Sequence, residues 1–410
     1  MASSFSVKNY FKKIYTPELI TKLYSSHSIV AIFEITDNTP RKTAVDIMMD
    51  FYKSLSPSEK IDIEKELAII STLSTKYAVS LFKSLLKEKK LAYEETQIEC
   101  VSDHDKVLYY YLFNKDVFDE VMFFHDFYVA RGYMLYEAKE VALDVAEMNT
   151  GELTREFIRI ANKDDRATEC DVEVKSLDGL LYISATFEGS PQITPTRNKE
   201  TGEIDRTRTQ RKLEQVRIVY LPSDKEVLIS YTGNKQEKII FLDTFLRVIC
   251  ASGYEDKVES FDLSLCKSPT FDFSQTNKGL PLLTWKIKNV ALSFGGDEGT
   301  KKKIRLSLPS SVQENGLSPF FTTLDELGLD AQLKNFTIEN VSLSFSFTDK
   351  EKADKNVNVS CSVSLVKSSL SPLFPYERYA RTLLKQSGID KGFIEQVKKE
   401  KDERVKKWEV

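Results

Sequence analysis

Histidine is the side chain that most often serves as a general base or a metal ligand near neutral pH, and this 410-residue chain has only three. Of His27, His104 and His125, only His104 lies in an acidic run, Asp103-His104-Asp105. That run precedes a predicted helix, where aspartate is favoured as a capping residue. We interpret it as a solvated capping segment and His125 as an interior residue, and we expect neither a metal nor a cofactor.

Asp171, Glu173 and Lys175 alternate along one predicted strand, so their side chains project from the same face. This spacing resembles the metal-binding strand of the restriction-type nucleases, where a Glu-x-Lys pair works with a further acid from a preceding strand. The nearest such acids here, Asp164 and Asp165, follow a predicted helix instead. The resemblance implies a metal-dependent nuclease, whereas alternating charge is also ordinary on the wet face of a hairpin.

A basic segment at residues 196–212, called here the basic arm, carries six basic side chains against three acidic ones. Such a segment can contact the phosphates of DNA or RNA without reading the bases, although a solvated hairpin tip has the same composition. A second basic run at residues 301–305 would extend the surface. The predicted nucleic-acid-binding residues are Arg197, Lys199, Arg206, Arg208, Arg211, Lys212, Lys301, Lys302, Lys303 and Arg305.

Composition limits the other possibilities. The formal net charge is only −4, so attraction to nucleic acid must come from a local patch. The five cysteines are odd in number and form no Cys-x-x-Cys pair, which favours a reducing, cytoplasmic location. No apolar run reaches the length of a membrane span, so we expect no membrane partner. Walker A, Gly-x-Gly-x-x-Gly and His-Glu-x-x-His motifs are also absent from the sequence.

Helical spacing of apolar residues runs from about residue 40 to residue 162. Thr39 as N-cap, followed by Pro40 in the first turn, predicts the start of one helix, and Ser56 with Glu59 predicts a capping box at the start of another. From residue 106 to residue 148 the predicted helices are unusually aromatic. Such a run is typical of helices buried on several sides, and a partner-binding groove is the alternative interpretation.

After residue 165 the apolar period changes to two, which is typical of strands. Residues 171–175 and 181–187 predict one hairpin, residues 215–221 and 226–232 a second, and residues 241–249 a helix. The segments 286–294 (KIKNVALSF) and 337–345 (TIENVSLSF) nearly repeat each other. We therefore predict repeated units of strand, strand and helix, with candidate helices at residues 322–327 and 376–386 and a final charged helix at residues 389–408.

These patterns predict an α+β protein: a helical domain at residues 1–163, an α+β domain of repeated units at 164–372, and a C-terminal helical segment at 373–410. The scarcity of catalytic side chains favours a non-catalytic binding or assembly subunit over an enzyme. We expect a protein partner or a homo-oligomer, with DNA or RNA contacted through the basic arm. Two alternatives stay open: the restriction-type nuclease that uses Asp171, Glu173 and Lys175, and a protein scaffold without nucleic-acid contact.

Overall fold

The fold is α+β, with helices first and antiparallel sheets after them, as the sequence predicts. The computed structural model describes residues 5–36, 38–91, 100–139, 150–162, 169–193, 196–197, 204–205, 209–268, 270–294, 302–307, 322, 325–326, 336–349 and 355–395. The chain forms two compact units, Met1–Ala130 and Arg131–Val410. The first unit therefore ends before the expected boundary at residue 163.

The first unit is helical. Its helices are α1 (Val7–Phe11), α2 (Pro17–Ser26), α3 (Arg41–Ser54), α4 (Pro57–Leu73), α5 (Lys76–Glu88), α6 (Asp103–Phe113) and α7 (Lys115–Val129). The predicted capping box is present at α4, where the Glu59 amide donates to the Ser56 hydroxyl and the Ser56 amide donates to the Glu59 carboxylate. The expected cap at Thr39 is wrong, because Pro40 holds the N-cap position of α3 and makes no side-chain cap bond.

The aromatic helices supply the core of this unit. Phe82 of α5 stacks on Tyr110 of α6 at a centroid distance of 4.4 Å, and Phe118, Phe124 and Phe127 of α7 are almost fully buried. Burial of such large side chains is the main source of stability for a helical unit. The aromatic run thus forms interior surface, in line with the first of the two interpretations.

The second unit contains two five-stranded antiparallel sheets. The first sheet is built from β1 (Met134–Glu137), β2 (Cys170–Leu177), β3 (Leu180–Ile193), β6 (Thr209–Leu221) and β7 (Glu226–Tyr231), in the order β1-β7-β6-β3-β2. Between β3 and β6 lie the two short paired strands β4 (Thr196–Arg197) and β5 (Ile204–Asp205). Helices α8 (Thr150–Ala161) and α9 (Lys235–Cys250) pack against this sheet through Phe157, Phe241 and Phe245.

The second sheet has the order β10-β9-β11-β12-β13. Its strands are β9 (Leu282–Phe294), β10 (Lys302–Ser307), β11 (Phe336–Thr348), β12 (Asn356–Ser364) and β13 (Lys367–Ser368). The short helix α10 (Phe273–Thr276) and the helix α11 (Pro375–Gln386) cover one face of it through Phe273, Leu383 and Leu384. A separate two-stranded sheet pairs β8 (Lys257–Phe261) with β14 (Asp390–Glu395).

Two predicted helical regions are wrong in part. Residues 134–137 form strand β1, which pairs with β7, although the aromatic helix was expected to continue through them. Residues 390–395 form strand β14, although a charged helix was predicted from residue 389, and the rest of that predicted helix lies outside the described residues. In both places a strand partner far away in the sequence decides the conformation, and local periodicity does not report such a partner.

The repeated sequence is also a repeated structure. Its two copies lie side by side as the antiparallel strands β9 and β11, and Val290 faces Val341, its own counterpart in the repeat. Each copy holds one extra bulge residue at the same position of the repeat, Lys288 in β9 and Glu339 in β11. The hairpins β9–β10 and β11–β12 are thus related by a local twofold axis that passes between the two valines.

The hairpin-plus-helix pattern is present in each half of the second unit. The first sheet runs as hairpins into α9, and the second runs through the β11–β12 hairpin into α11. Of the candidate helix at residues 322–327, the described residues Thr322, Asp325 and Glu326 are helical. No helix in the described ranges combines the length and the apolar character needed to cross a membrane.

Candidate nucleic-acid interface

The basic arm extends the β3–β6 hairpin of the first sheet. Ile193 pairs with Thr209 and Pro191 with Arg211, and Arg197 pairs with Ile204 in the short ribbon beyond them. Arg211 and Lys212 are exposed at the base of the arm, and the Arg211 guanidinium lies 3.8 Å from the Glu188 carboxylate. Lys199, Arg206 and Arg208 lie outside the described residues.

The second predicted run lies on a different sheet. Lys303 and Arg305 belong to the edge strand β10, where they face Ser293 and Ala291 of β9 and are exposed. They alternate with Ile304, which faces the buried Leu292, so the two basic side chains point away from the core. Lys302 is the first residue of β10, and Lys301 lies outside the described residues.

Two further lysines complete this surface. Lys286 of β9 faces Ser344 of β11, on the side opposite the buried Trp285 and Ile287. Lys288 occupies the bulge of β9, and its ammonium donates to the Ser360 hydroxyl of β12 at 2.7 Å. We call the non-core side of β9–β12 the polar face.

The polar face is rich in hydroxyl and amide groups. Asn340 and Ser362 bond to each other across β11 and β12 at 2.8 Å and 3.0 Å, and the Ser344 and Ser360 hydroxyls are 3.5 Å apart. The other polar residues at its ladder positions are Thr284, Asn289, Ser293, Ser307, Thr337, Ser342, Ser346, Asn358 and Ser364. Ser293 and Ser344 are buried, whereas the exposed and half-buried members of the set can donate to phosphate oxygens or exchange hydrogen bonds with sugar hydroxyls.

The described ladder and bulge positions of the polar face carry four basic side chains, Lys286, Lys288, Lys303 and Arg305, and a single acidic one. The acid, Glu339, is paired with Lys303 at 2.7 Å. In the described part of the chain, neither Lys286 nor Arg305 has a carboxylate within ion-pair distance. A surface with an excess of unpaired cations and fixed hydroxyl donors attracts a polyanion, even though the whole molecule has a net charge of −4.

The sequence analysis did not predict Lys286 and Lys288 as binding residues, although the alternation of lysine and isoleucine in this segment indicates that both face away from the core. In the segment KIKNV the buried Ile287 separates the two lysines, so strand alternation places both away from the core. The hydroxyl-rich stretches 342–346 and 358–364 carry the same signal, because serine or asparagine alternates in them with buried apolar residues.

The trio expected of a nuclease lies on β2, the edge strand of the first sheet. Asp171 and Glu173 are exposed, and Lys175 contacts Glu173 at 3.6 Å. Their neighbours Val172 and Val174 point the other way and pack on the core. Across the described ranges, no three His, Cys, Asp or Glu side chains converge as metal ligands would.

The histidines are placed among helices of the first unit. His27 lies 3.1 Å from a Glu66 oxygen, and the His104 ring lies 5.5 Å from the Tyr10 ring. His125 is buried, and burial lowers its pKa, against the opposite effect of Asp126. Burial likewise lowers the pKa of His104, so both rings favour the neutral form.

The capping prediction for Asp103-His104-Asp105 is correct in kind but wrong about solvation. Ser102 is the N-cap of α6, and Asp105 completes the capping box from a fully buried position. The Asp105 carboxylate also accepts the backbone amides of Tyr15 and Thr16 at 2.9 Å and 3.1 Å. This carboxylate therefore joins the α1–α2 connection to the start of α6.

A cavity of about 170 Å³ lies in the second unit and is lined by residues of β1, β7, the β8–β14 sheet and α11. Arg381 of α11 is one of them, and its guanidinium nitrogens lie 3.0 Å from Glu226 and 3.2 Å from Glu259. Lys385 also contacts Glu226, at 2.9 Å. Every one of these ionised groups has a partner, so we interpret this ionic cluster as the joint between β7, β8 and α11.

Burial governs the charges of this cluster. It raises the pKa of Glu259, an effect that Arg381 only partly offsets. Burial alone would lower the pKa of Arg381, but Glu226, Glu259 and Asp390 raise it overall. The carboxylates therefore favour the charged form of the arginine, and the arginine in turn favours the ionised form of Glu259.

Comparison with protein-family models and with curated proteins gives no match to this sequence.

Proposed function

We propose that this protein is a non-catalytic binding subunit that contacts the phosphates of a nucleic acid through the polar face of its second sheet. The observation that supports the proposal is the grouping of Lys286, Lys288, Lys303 and Arg305 among hydroxyl and amide groups, with one acid between them. Lysine, arginine, serine and asparagine are the side chains that most often contact the nucleic-acid backbone.

The same surface has limited means of reading sequence. The aromatic residues of β9 and β11 whose side chains are described, such as Trp285 and Phe345, are buried on the core side. Bases therefore find no stacking platform among these side chains, in contrast to sheets that bind single strands through aromatics. We expect binding that depends strongly on salt and weakly on sequence.

Binding can be measured by fluorescence anisotropy with labelled duplex DNA, single-stranded DNA and RNA over a range of salt concentrations. If the four basic side chains each neutralise one phosphate, the slope of log K against log salt is about −3.6 for a duplex and about −2.8 for a single strand. Replacing Lys286, Lys288 and Arg305 by glutamine should reduce that slope by about 2 to 3. Lys303 is kept, because it forms an ion pair with Glu339.

The matched control removes three exposed lysines from the helical unit, Lys53, Lys65 and Lys115, and so changes the net charge by the same amount. Equal loss of binding in both variants would contradict a specific role of the polar face. Absence of binding at low salt would favour the scaffold alternative. If the polar-face variant binds like the wild-type protein, the polar face is not the binding surface, and Arg211 and Lys212 at the base of the basic arm are the next residues to replace.

A further inference from the structure

The connection between α2 and α3 has the side-chain pattern of a strand. Residues 29–35 read IVAIFEI and are rich in β-branched and aromatic types. Their exposure alternates: Val30 and Ile32 are 83% and 82% exposed, whereas Ala31 is only 5% exposed. Phe33, on the inner side with Ala31, packs its ring against Tyr24 and Phe51.

Apart from the Ile29 amide, the backbone polar groups of this segment are also without partners among the described residues. Within the described residues, no hydrogen bond is made by the amides of residues 30–35 or by the carbonyls of residues 29–35; the nearest bonds are those of the Ile29 and Thr36 amides. A row of free donors and acceptors in an extended apolar segment is a template for the addition of another strand. We call residues 29–35 the open strand.

We propose that the open strand pairs antiparallel with the open strand of a second copy of this chain, which gives a symmetric dimer. A twofold interface brings the same surface together from both copies, and an open strand supplies donors and acceptors that match its own. With Ile32 opposite Ile32, inner residues face inner residues, so neither strand has to turn over. This inference is independent of the polar face.

The charge pattern fits the same register. Glu34 is the only charged residue of the open strand. In the antiparallel register it faces Val30 of the second copy, and the two carboxylates are about 13 Å apart along the strands. A parallel pairing in register would instead place each Glu34 beside its counterpart, which is unfavourable.

Sedimentation velocity over a range of concentrations tests the proposal. We expect the wild-type chain to show a monomer–dimer equilibrium. The double variant Val30→Glu, Ile32→Glu should dimerise at least about tenfold more weakly, because it places a new carboxylate opposite Glu34 and another opposite its own counterpart. Both side chains are exposed, so the monomer should keep its fold. The matched control is Met122→Glu with Val129→Glu, which changes two exposed apolar residues of α7.

Hydrogen exchange supplies the second measurement. In the dimer, amides of residues 30–35 should become protected as the concentration rises, and they should exchange rapidly in the double-glutamate variant. A wild-type chain that stays monomeric with rapid exchange in this segment would overturn the proposal. So would a dimer that the two introduced glutamates leave intact, or one that the control variant weakens equally.

Discussion

Arg381→Met should destabilise the second unit strongly, because it leaves the buried Glu259 without its partner and Glu226 with Lys385 alone. The Arg381 side chain is 7% exposed, and those of Glu226 and Glu259 are 4% and 13% exposed. Breaking a buried ion pair on one side typically costs about 3 to 5 kcal/mol, whereas exposed pairs contribute at most about 1 kcal/mol. We therefore expect a loss of about 3 to 5 kcal/mol at neutral pH.

The pH dependence of this loss has a definite sign. The folded pKa of Glu259 is already raised by burial, and removal of the arginine raises it further. A raised folded pKa means that the native state binds more protons, so stability is present at low pH and decreases as the pH rises through that pKa. The Arg381→Met defect should accordingly be small at acid pH and grow towards neutral pH.

Urea unfolding followed by the fluorescence of Trp285 measures this effect. Trp285 is buried beside Phe273 in the second unit, and a Trp408→Phe background removes the other tryptophan. Neutralising both acids, with Glu226→Gln and Glu259→Gln, should recover most of the stability of Arg381→Met, because no buried charge is then left unpaired.

The control is Arg247→Met, since Arg247 pairs with Asp243 on the surface of α9. A defect below about 1 kcal/mol, a defect independent of pH, or a failure of the glutamine variants to restore stability would each refute the reasoning.

Three further outcomes follow from buried groups. Asp105→Ala should lower the free energy of unfolding of the first unit by about 3 kcal/mol or more, because the amides of Tyr15 and Thr16 lose their acceptor and α6 loses its capping box. Thermal or urea unfolding measures this loss, and a loss below about 1 kcal/mol would contradict the expectation. Val290→Ala and Val341→Ala should each cost about 2 kcal/mol and match within experimental error, because the local twofold axis gives them equivalent surroundings; unequal losses would argue against it. Burial raises the pKa of both Cys266 and Cys361 to about 12, so these thiols should resist alkylation at pH 8 in the native protein and react after unfolding; rapid labelling in the native state would show that they are accessible.

Local pattern predicted those parts of the fold that local physics decides. The capping box at Ser56 involves residues only three apart, and the hairpins around residues 178 and 224 join strands that are adjacent in the sequence. The helix predicted at residues 134–137 was wrong because β1 pairs with β7, which lies about ninety residues further along the chain. The spacing of apolar residues within a segment does not report such a distant partner. The two members of the Glu226–Arg381 pair are 155 residues apart, so the sequence pattern could not predict this ion pair either.

The candidate site was predicted only where charge was dense in the sequence. Lys303 and Arg305 belong to an obvious basic run, but their partners on the polar face are lysines dispersed in an apolar strand. Lys286 and Lys288 come to share a face with Arg305 only when β9 and β10 pair, so the surface is formed by the sheet and not by any single segment.

The repeat explains how such a surface can arise beside a core that both copies share. Ile287, Val290 and Leu292 in one copy match Ile338, Val341 and Leu343 in the other, and all six are buried. The two bulge residues, Lys288 and Glu339, are free of that packing constraint and carry opposite charges. Core positions therefore retain the similarity of the two copies, whereas outward positions have diverged. If the polar face binds a polyanion, exchange of Glu339 for lysine should strengthen binding at low salt, since it removes the one acid of the face; weaker binding would place the ligand elsewhere.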